Sequence, residues 1–574
     1  MRRETMRRML RALAAACAAA VLLAGCASIP RSGPVAEGGK AASQDDGFGQ
    51  IDYHPSSPVA GETQAEVLSG FIAAAVSPDN GYQIAREYLA SSFASQWNPD
   101  ASVTVDRGTG RDDPTRVNST QLTLDVEPVA FVDQAGNYLT ADSHAPIPLQ
   151  YSFTKEDGQW RISKAPDGIV IDSNRFQTVF SPQTLYFYSA DFRYLVPDER
   201  WFPATRASLS TRVVKALLAG PSEWLKEAVA TAFPSGTQLV SGSVPVQDGT
   251  AMVDLNSAAG SADSATLDRM DEQLTESLSG AGSVTDVQLS IAGVDRPSGA
   301  PSATGAVHDP AVNVNPLVLQ GGKFGFLTSG KVSTSLEAVG GKIASLKPSA
   351  VSVTADGSAA AVKAKQGVYA INAQAASPVL VDDRTGLIAP SVDNRGAVWS
   401  ATASPDAAIH VAYPDGTTVD LDPAWSNART LISFGISRDG TRLAALVRTT
   451  DGQSHVMVAG IARNSDGRPT GIGEPVDLGN VGLSEGLSLA WTDELTVVVL
   501  GNAPGGGTAI VSQSIGGTRS TTSGPSGGVT VAGGNPASQY WVLTSGGDLE
   551  TPAGNGWQSA ADKVTVLAVQ QGRG

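Results

Sequence analysis

Three stretches decide the fold: Ser352-Val-Thr-Ala-Asp356-Gly357, Pro390-Ser-Val-Asp-Asn394-Arg-Gly396 and Phe434-Gly-Ile-Ser-Arg-Asp439-Gly440. Each reads as a short apolar strand entering a tight turn with glycine. Each turn leads into a second apolar strand: Ala359–Val362, Ala397–Ser400 or Leu443–Val447. The turn positions Asp356, Asn394 and Asp439 lie 38 and 45 residues apart, and a fainter copy, Leu489-Ala-Trp491-Thr-Asp493-Glu494-Leu495, follows 54 residues on. Four-stranded blades repeat at about 40–50 residues, so residues 311–574 are expected to form a β-propeller of about five or six blades. The clearest units are Val351–Ile371, Leu387–Leu421, Leu431–Arg463, Leu487–Ile515 and Val529–Trp557. A pair of β-sandwiches would not need the recurring strand–turn–strand opening.

Upstream of a Ser/Pro/Gly/Ala linker at 298–310, the pattern changes to mixed α and β. Residues 176–297 carry strand signals at Thr184–Ser189, Tyr194–Val196, Thr237–Val246, Ala251–Leu255 and Val284–Ile291. A helix at Ser208–Ala219 stops at Gly220-Pro221. A second, Ser264–Leu278, places Leu267, Met270, Leu274 and Leu278 on one stripe behind the N-cap Asp263. This predicts two helices on one sheet. Residues 58–172 begin with helical spacing across Gly61–Ser95, broken at Pro78-Asp79-Asn80-Gly81. Strand runs follow at Ser102–Asp106, Gln121–Val132, Asn137–Ala141, Ile147–Thr154 and Gln159–Lys164. Helices followed by an antiparallel meander make a second α+β domain with a curved sheet, similar to the NTF2-like cone. The fold class is therefore two α+β domains followed by an all-β propeller.

The N-terminus sets the compartment. Arg2, Arg3, Arg7, Arg8 and Arg11 precede an apolar stretch, Ala12–Ala24, too short to span a bilayer. Residues 1–25 therefore read as an export signal. It ends in Leu23-Ala24-Gly25-Cys26, which resembles a bacterial lipobox. The resemblance implies a diacylglyceryl group on the Cys26 thiol, cleavage before it, and a cell-membrane anchor on the extracytoplasmic face. Residues 26–57, rich in Ser, Gly, Pro and Ala, are expected to be a flexible tether. Cys17 and Cys26 are the only cysteines, so the exported chain would carry no free thiol and no disulfide framework.

The 574 residues hold 40 Lys+Arg against 56 Asp+Glu, a net charge of −16. Loss of the signal removes five arginines and one glutamate, which makes the chain more acidic still. That balance argues against a nucleic-acid partner, since a polyanion needs a basic face.

The chemical motifs are weak. Gly482-Leu-Ser484-Glu-Gly486 matches a nucleophile elbow, yet Leu487–Trp491 reads as a strand where that motif needs a helix. Gly325-Phe-Leu-Thr-Ser-Gly330-Lys331 begins like a phosphate loop, but Val332 stands where a magnesium-binding hydroxyl belongs. His54, His144, His308, His410 and His455 lack metal-ligand spacing and read as surface or linker residues. The acidic pairs Asp45-Asp46, Asp112-Asp113 and Asp382-Asp383 read as solvated loops, and Arg107, Arg111 and Arg116 as a self-neutralised face. Trp399 and Tyr540-Trp541 fall at strand positions and read as core. No catalytic, cofactor or metal residue is assigned, and no enzyme activity is expected.

A family resemblance adds to this reading. Val213-Val-Lys-Ala-Leu-Leu-Ala-Gly220-Pro221, Thr231-Ala-Phe-Pro-Ser-Gly236-Thr237 and Gly249-Thr-Ala-Met-Val-Asp-Leu-Asn256 resemble, in order, the GerMN (sporulation and spore germination) module. With Cys26-Ala-Ser-Ile-Pro30-Arg-Ser-Gly33-Pro34-Val35 ahead of it and a propeller behind, the chain is similar to the actinobacterial LpqB lipoproteins. The resemblance implies an accessory lipoprotein of the MtrAB two-component system. Such a protein would contact the ectodomain of an MtrB-like sensor histidine kinase and modulate its signalling in envelope growth and division. The alternative reading is a lipoprotein whose propeller pocket or NTF2-like cone holds a cell-wall glycan or lipid fragment; a hydrolase using Ser484 is more remote.

Overall fold

Thr63 opens the first helix, Gln64–Ala74, with a capping box. Its hydroxyl accepts from the Glu66 N–H, and the Glu66 carboxylate accepts from the Thr63 N–H. The computed structural model describes residues 55–108, 113–141, 145–204, 206–296, 305–333, 336–535 and 539–572. The signal segment, Leu23, Ala24, Gly25, Cys26, the tether up to residue 54, linker residues 297–304, Arg111, Asp112, His54 and His144 lie outside the described residues.

A short second helix, Gln83–Glu87, follows the predicted break. The strands of this module form two four-stranded sheets rather than one meander. Thr115–Asn118, Gln121–Val126, Ile147–Glu156 and Gln159–Lys164 make the first. Tyr138–Thr140, Pro128–Asp133, Ser102–Asp106 and Ile169–Asp172 make the second, which ends in a parallel pair. The run expected at Gln121–Val132 divides at Glu127, where Pro128 cannot donate to the ladder and a bulge opens opposite Asp106. Two sheets stand where the single curved sheet of an NTF2-like cone was expected. Phe71, Trp97 and Tyr151 lie in the core between helix and sheets.

In the second module, helices Arg206–Ala219 and Ser264–Leu278 pack on each other, and the Asp263 carboxylate caps the second from 2.8 Å at the Thr266 N–H. The strands again form two sheets, not the one expected. Phe180–Ser189 and Leu195–Pro203 pair along their whole length, with Val229–Ala230 at the edge. Thr250–Leu255 and Asp286–Ile291 run parallel at the centre of the other. The strand expected over Thr237–Val246 reduces to Val246–Gln247, because Gly242 takes a left-handed turn (φ 67°) and Pro245 lacks a donor. The Val244 N–H turns instead to the Thr211 hydroxyl, 2.9 Å away.

Among the described residues the remaining strands build a six-bladed propeller. Five blades are contiguous: 350–382, 391–421, 428–472, 485–523 and 528–561. The sixth joins the two ends of the domain. Val564–Gln570 is its innermost strand, and Leu317–Gln320, Lys323–Thr328 and Lys331–Val332 lie outside it. The innermost strands neighbour one another in cyclic order, which closes the ring. A helix, Glu337–Ser345, buries Val339 and Ile343 beside the closing blade, where no helix was expected.

The repeated turns have a common chemistry. Asp356 accepts from the Ser358 N–H, Asp439 from the Thr441 N–H, and Asp493 from the Leu495 and Thr496 N–H groups. In the second copy the capping carboxylate is Asp393, not Asn394. Asp393 is fully buried and accepts from the Arg395 and Ala397 N–H groups, the Trp399 indole and Arg463.

Candidate functional site

Strand alternation along Asp198–Phe202 gives the molecule its junction. Glu199 and Trp201 point to one side of the strand, Asp198 and Arg200 to the other. On the first side the Trp201 indole donates to the Gly516 carbonyl (3.0 Å), and the Ser514 hydroxyl donates to Glu199 (3.0 Å). The same indole packs 4.9 Å from Phe176 and 5.9 Å from Tyr138, so one side chain touches the first module and the propeller together. Gly516 is glycine because a Cβ there would overlap the Glu199 carboxylate at 1.9 Å.

On the other side Asp198 and Arg200 form a buried pair at 2.7 Å, each side chain about 2% exposed. The remaining lone pairs of Asp198 accept from the Ser222 N–H and hydroxyl, while Arg200 donates to the Ala135 carbonyl of the first module. The Ser222 hydroxyl also meets Asn137 at 2.8 Å.

A second patch lies where the linker reaches the propeller. The Tyr186 hydroxyl donates to Glu494 (2.7 Å), and the His308 Nε2 sits 2.8 Å from that hydroxyl and 3.2 Å from the carboxylate. The hydrogen bond to Glu494 raises the His308 pKa above its ordinary value, outweighing burial. Burial pushes the Glu199 carboxyl up to about 6, with the negative charges of Asp493 and Asp198 adding to the effect against the Ser514 hydrogen bond. Asp309 is raised by burial in the same way. Nearby, the buried Arg438 donates to the carbonyls of Thr492 and Gly534 and to Asn535, tying three blades together. Gln571 closes the axis on this side: its side chain donates to the carbonyls of Val392 and Ile436, and its N–H to Val353.

The sequence-derived candidates fall elsewhere. Ser484 donates to the Asn502 carbonyl and leads into strand Glu485–Trp491, so the elbow motif is an edge loop. Gly325–Lys331 is a hairpin. His410 pairs with Asp420 and His455 with Asp477, while Asp382 is held by Arg384 and Ser400 inside its blade. Trp399, Tyr540 and Trp541 are buried in the propeller. No group of three or more potential metal ligands occurs among the described residues. None of their helices is long and apolar enough to cross a membrane. Tyr186, Glu199, Trp201 and Glu494 were not singled out by sequence reasoning. Their one signal was Glu494, which replaces the turn glycine in the faintest repeat.

Two α+β modules packed onto a six-bladed propeller define a multidomain scaffold, and the polar side chains described above join its modules to one another. Along most of its length the chain is similar to the LpqB lipoproteins. Residues 57–177 match the model for the lipoprotein LpqB N-terminal domain, 184–296 that for sporulation and spore germination, and 326–567 that for the lipoprotein LpqB beta-propeller domain. Lipoprotein LpqB of Thermobifida fusca is 32% identical over 296 residues, and that of Cutibacterium acnes 32% over 279. These two matches cover 49% and 48% of this chain but only 46% of each relative, less than half its length. Lipoprotein LpqB of Streptomyces coelicolor is 26% identical over 546 residues, covering 87% of each chain.

Proposed function

We propose that this chain is a lipid-anchored accessory protein on the extracytoplasmic face of the cell membrane, held through Cys26. In this reading it binds the ectodomain of an MtrB-like sensor histidine kinase and biases its signalling. What supports the proposal is the order of parts: a lipobox-like run at Leu23–Cys26, then stretches that match the LpqB N-terminal, spore-germination and LpqB propeller models in turn.

The junction supports a mechanism. Trp201, Glu199 and Tyr186 fasten both small modules to the propeller, so a partner would meet one preassembled surface and lose little entropy in ordering it. Binding changes kinase output only if the two signalling states are bound with different affinity; an affinity ratio of about ten corresponds to about 1.4 kcal/mol of bias. Closure of the axis by Gln571 disfavours a ligand entering the propeller from the side of the small modules.

The test is biolayer interferometry of the full chain, with Cys26→Ser for solubility, against the kinase ectodomain. Saturable binding that Trp201→Ala weakens supports the reading. Absence of binding up to roughly 100 μM, an affinity of only about 5 kcal/mol, overturns it.

A further inference from the structure

A cleft of about 540 Å³ lies between the first module and helix Arg206–Ala219, and its lining includes neither Trp201 nor Glu494. That volume falls within the roughly 300–1,000 Å³ of small-molecule sites. The groups left over along it are donors. Trp97 is 1% exposed, wedged edge-on between Phe71 (5.0 Å) and Tyr82 (6.0 Å), and its indole N–H has no hydrogen-bond partner. The Nε–H of Arg212 is buried and equally unpartnered, while its Nη2 reaches Asp100 at 3.2 Å. Arg86 spends Nε on the Gly81 carbonyl and Nη1 on those of Ala94 and Trp97, which leaves Nη2.

The rim adds a second, independent observation. Asn80, Gly81 and Tyr82 take φ values of 49°, 69° and 64° in succession, and for the bulky Tyr82 that region is strained. Strain of this kind collects at ligand clamps. Buried donors without acceptors are costly unless something accepts from them, and guanidinium groups match the planar geometry of oxyanions. The rest of the wall is Ser, Gln, Asn and Pro, with Asp79 turned to the Ser77 hydroxyl, which suits a hydroxyl- or amide-bearing body better than an acyl chain.

We propose that this cleft binds a small polar ligand carrying one oxyanion, a carboxylate or a phosphate, gripped by Arg212 and Arg86, with Asp100 holding the place of that anion when the cleft is free. The site is independent of kinase binding, and either reading can fail alone.

Isothermal titration of the full chain with three compounds of one sugar skeleton tests it: N-acetylmuramic acid, N-acetylglucosamine 1-phosphate and neutral N-acetylglucosamine. At least one anion is expected to bind tenfold or more tighter than the neutral sugar, and the stronger arm tells carboxylate from phosphate. Arg212→Gln, at a partly exposed side chain, should weaken the preferred anion at least tenfold. Asp100→Asn, which frees Arg212 without removing it, should tighten it several-fold. Equal affinity for all three sugars, no heat from either anion at 10 mM (an affinity below roughly 3 kcal/mol), or an unchanged affinity in both variants overturns the proposal.

Discussion

Two of the buried carboxylate–guanidinium pairs among the described residues work at different ranges. Asp439 and Arg442 sit three residues apart in one propeller turn, where Asp439 also accepts from Ser437 and Thr441. Burial opposes ionisation there, but Arg442 and those donors bring the Asp439 pKa below its ordinary value. Asp198 and Arg200 are similarly buried and even closer in sequence, yet their other partners, Ser222 and Ala135, come from distant segments of two modules. The first pair stays within the propeller, where Arg442 also donates to the Glu494 carbonyl of the next blade. The second is a joint.

Removing one partner of either pair leaves a buried charge uncompensated, at a cost of about 3–5 kcal/mol. Asp439→Ala should lower the melting temperature while keeping one calorimetric transition. Asp198→Ala should cost as much and also split the transition, because the first module loses its hold on Arg200. A single transition in both variants would erase the distinction.

Glu199 gives the next largest effect. Its folded pKa of about 6 lies above the ordinary carboxylate value near 4.5. An acid whose pKa rises on folding is protonated more readily in the native state, so stability is greatest below the unfolded value and falls as pH climbs through 6. The raised His308 pKa acts in the same direction, its contribution being present below its ordinary value of 6.5 and lost above the folded one. The junction is therefore expected to tighten in mild acid. Glu199→Gln should recover about 2 kcal/mol at pH 8 and flatten thermal stability between pH 5 and 7.

Trp201→Phe removes the donor to Gly516 and part of the ring packed on Phe176 and Tyr138, at a cost of about 2 kcal/mol, read by chemical denaturation. Asp356→Ala, in an exposed turn of the same repeat as Asp439, should cost about 1 kcal/mol or less. An Asp356 effect as large as that of Asp439 would show that the turn, not the buried pair, carries the stability.

The same contrast explains what could be read from the sequence. The propeller was legible because strand, Asp-bearing turn and strand recur within a few residues, and local hydrogen bonds explain the recurrence. Its closing blade was not, since Val564–Gln570 and Leu317–Val332 stand at opposite ends of the domain and share no turn signature. Helix Ser264–Leu278 and its Asp263 cap were legible for the same local reason. The strand expected at Thr237–Val246 failed because Gly242 and Pro245 outweigh the apolar pattern around them. The junction was opaque: nothing near Glu199 or Trp201 in sequence announces Ser514 or Gly516, more than 300 positions away.

The most direct test of the central proposal is kinase autophosphorylation in vesicles that carry the sensor kinase, with and without the lipid-anchored chain at saturation. The account predicts a change in rate that wild type produces and Trp201→Ala reduces. An unchanged rate, with the chain shown to be membrane-bound and folded, would contradict it.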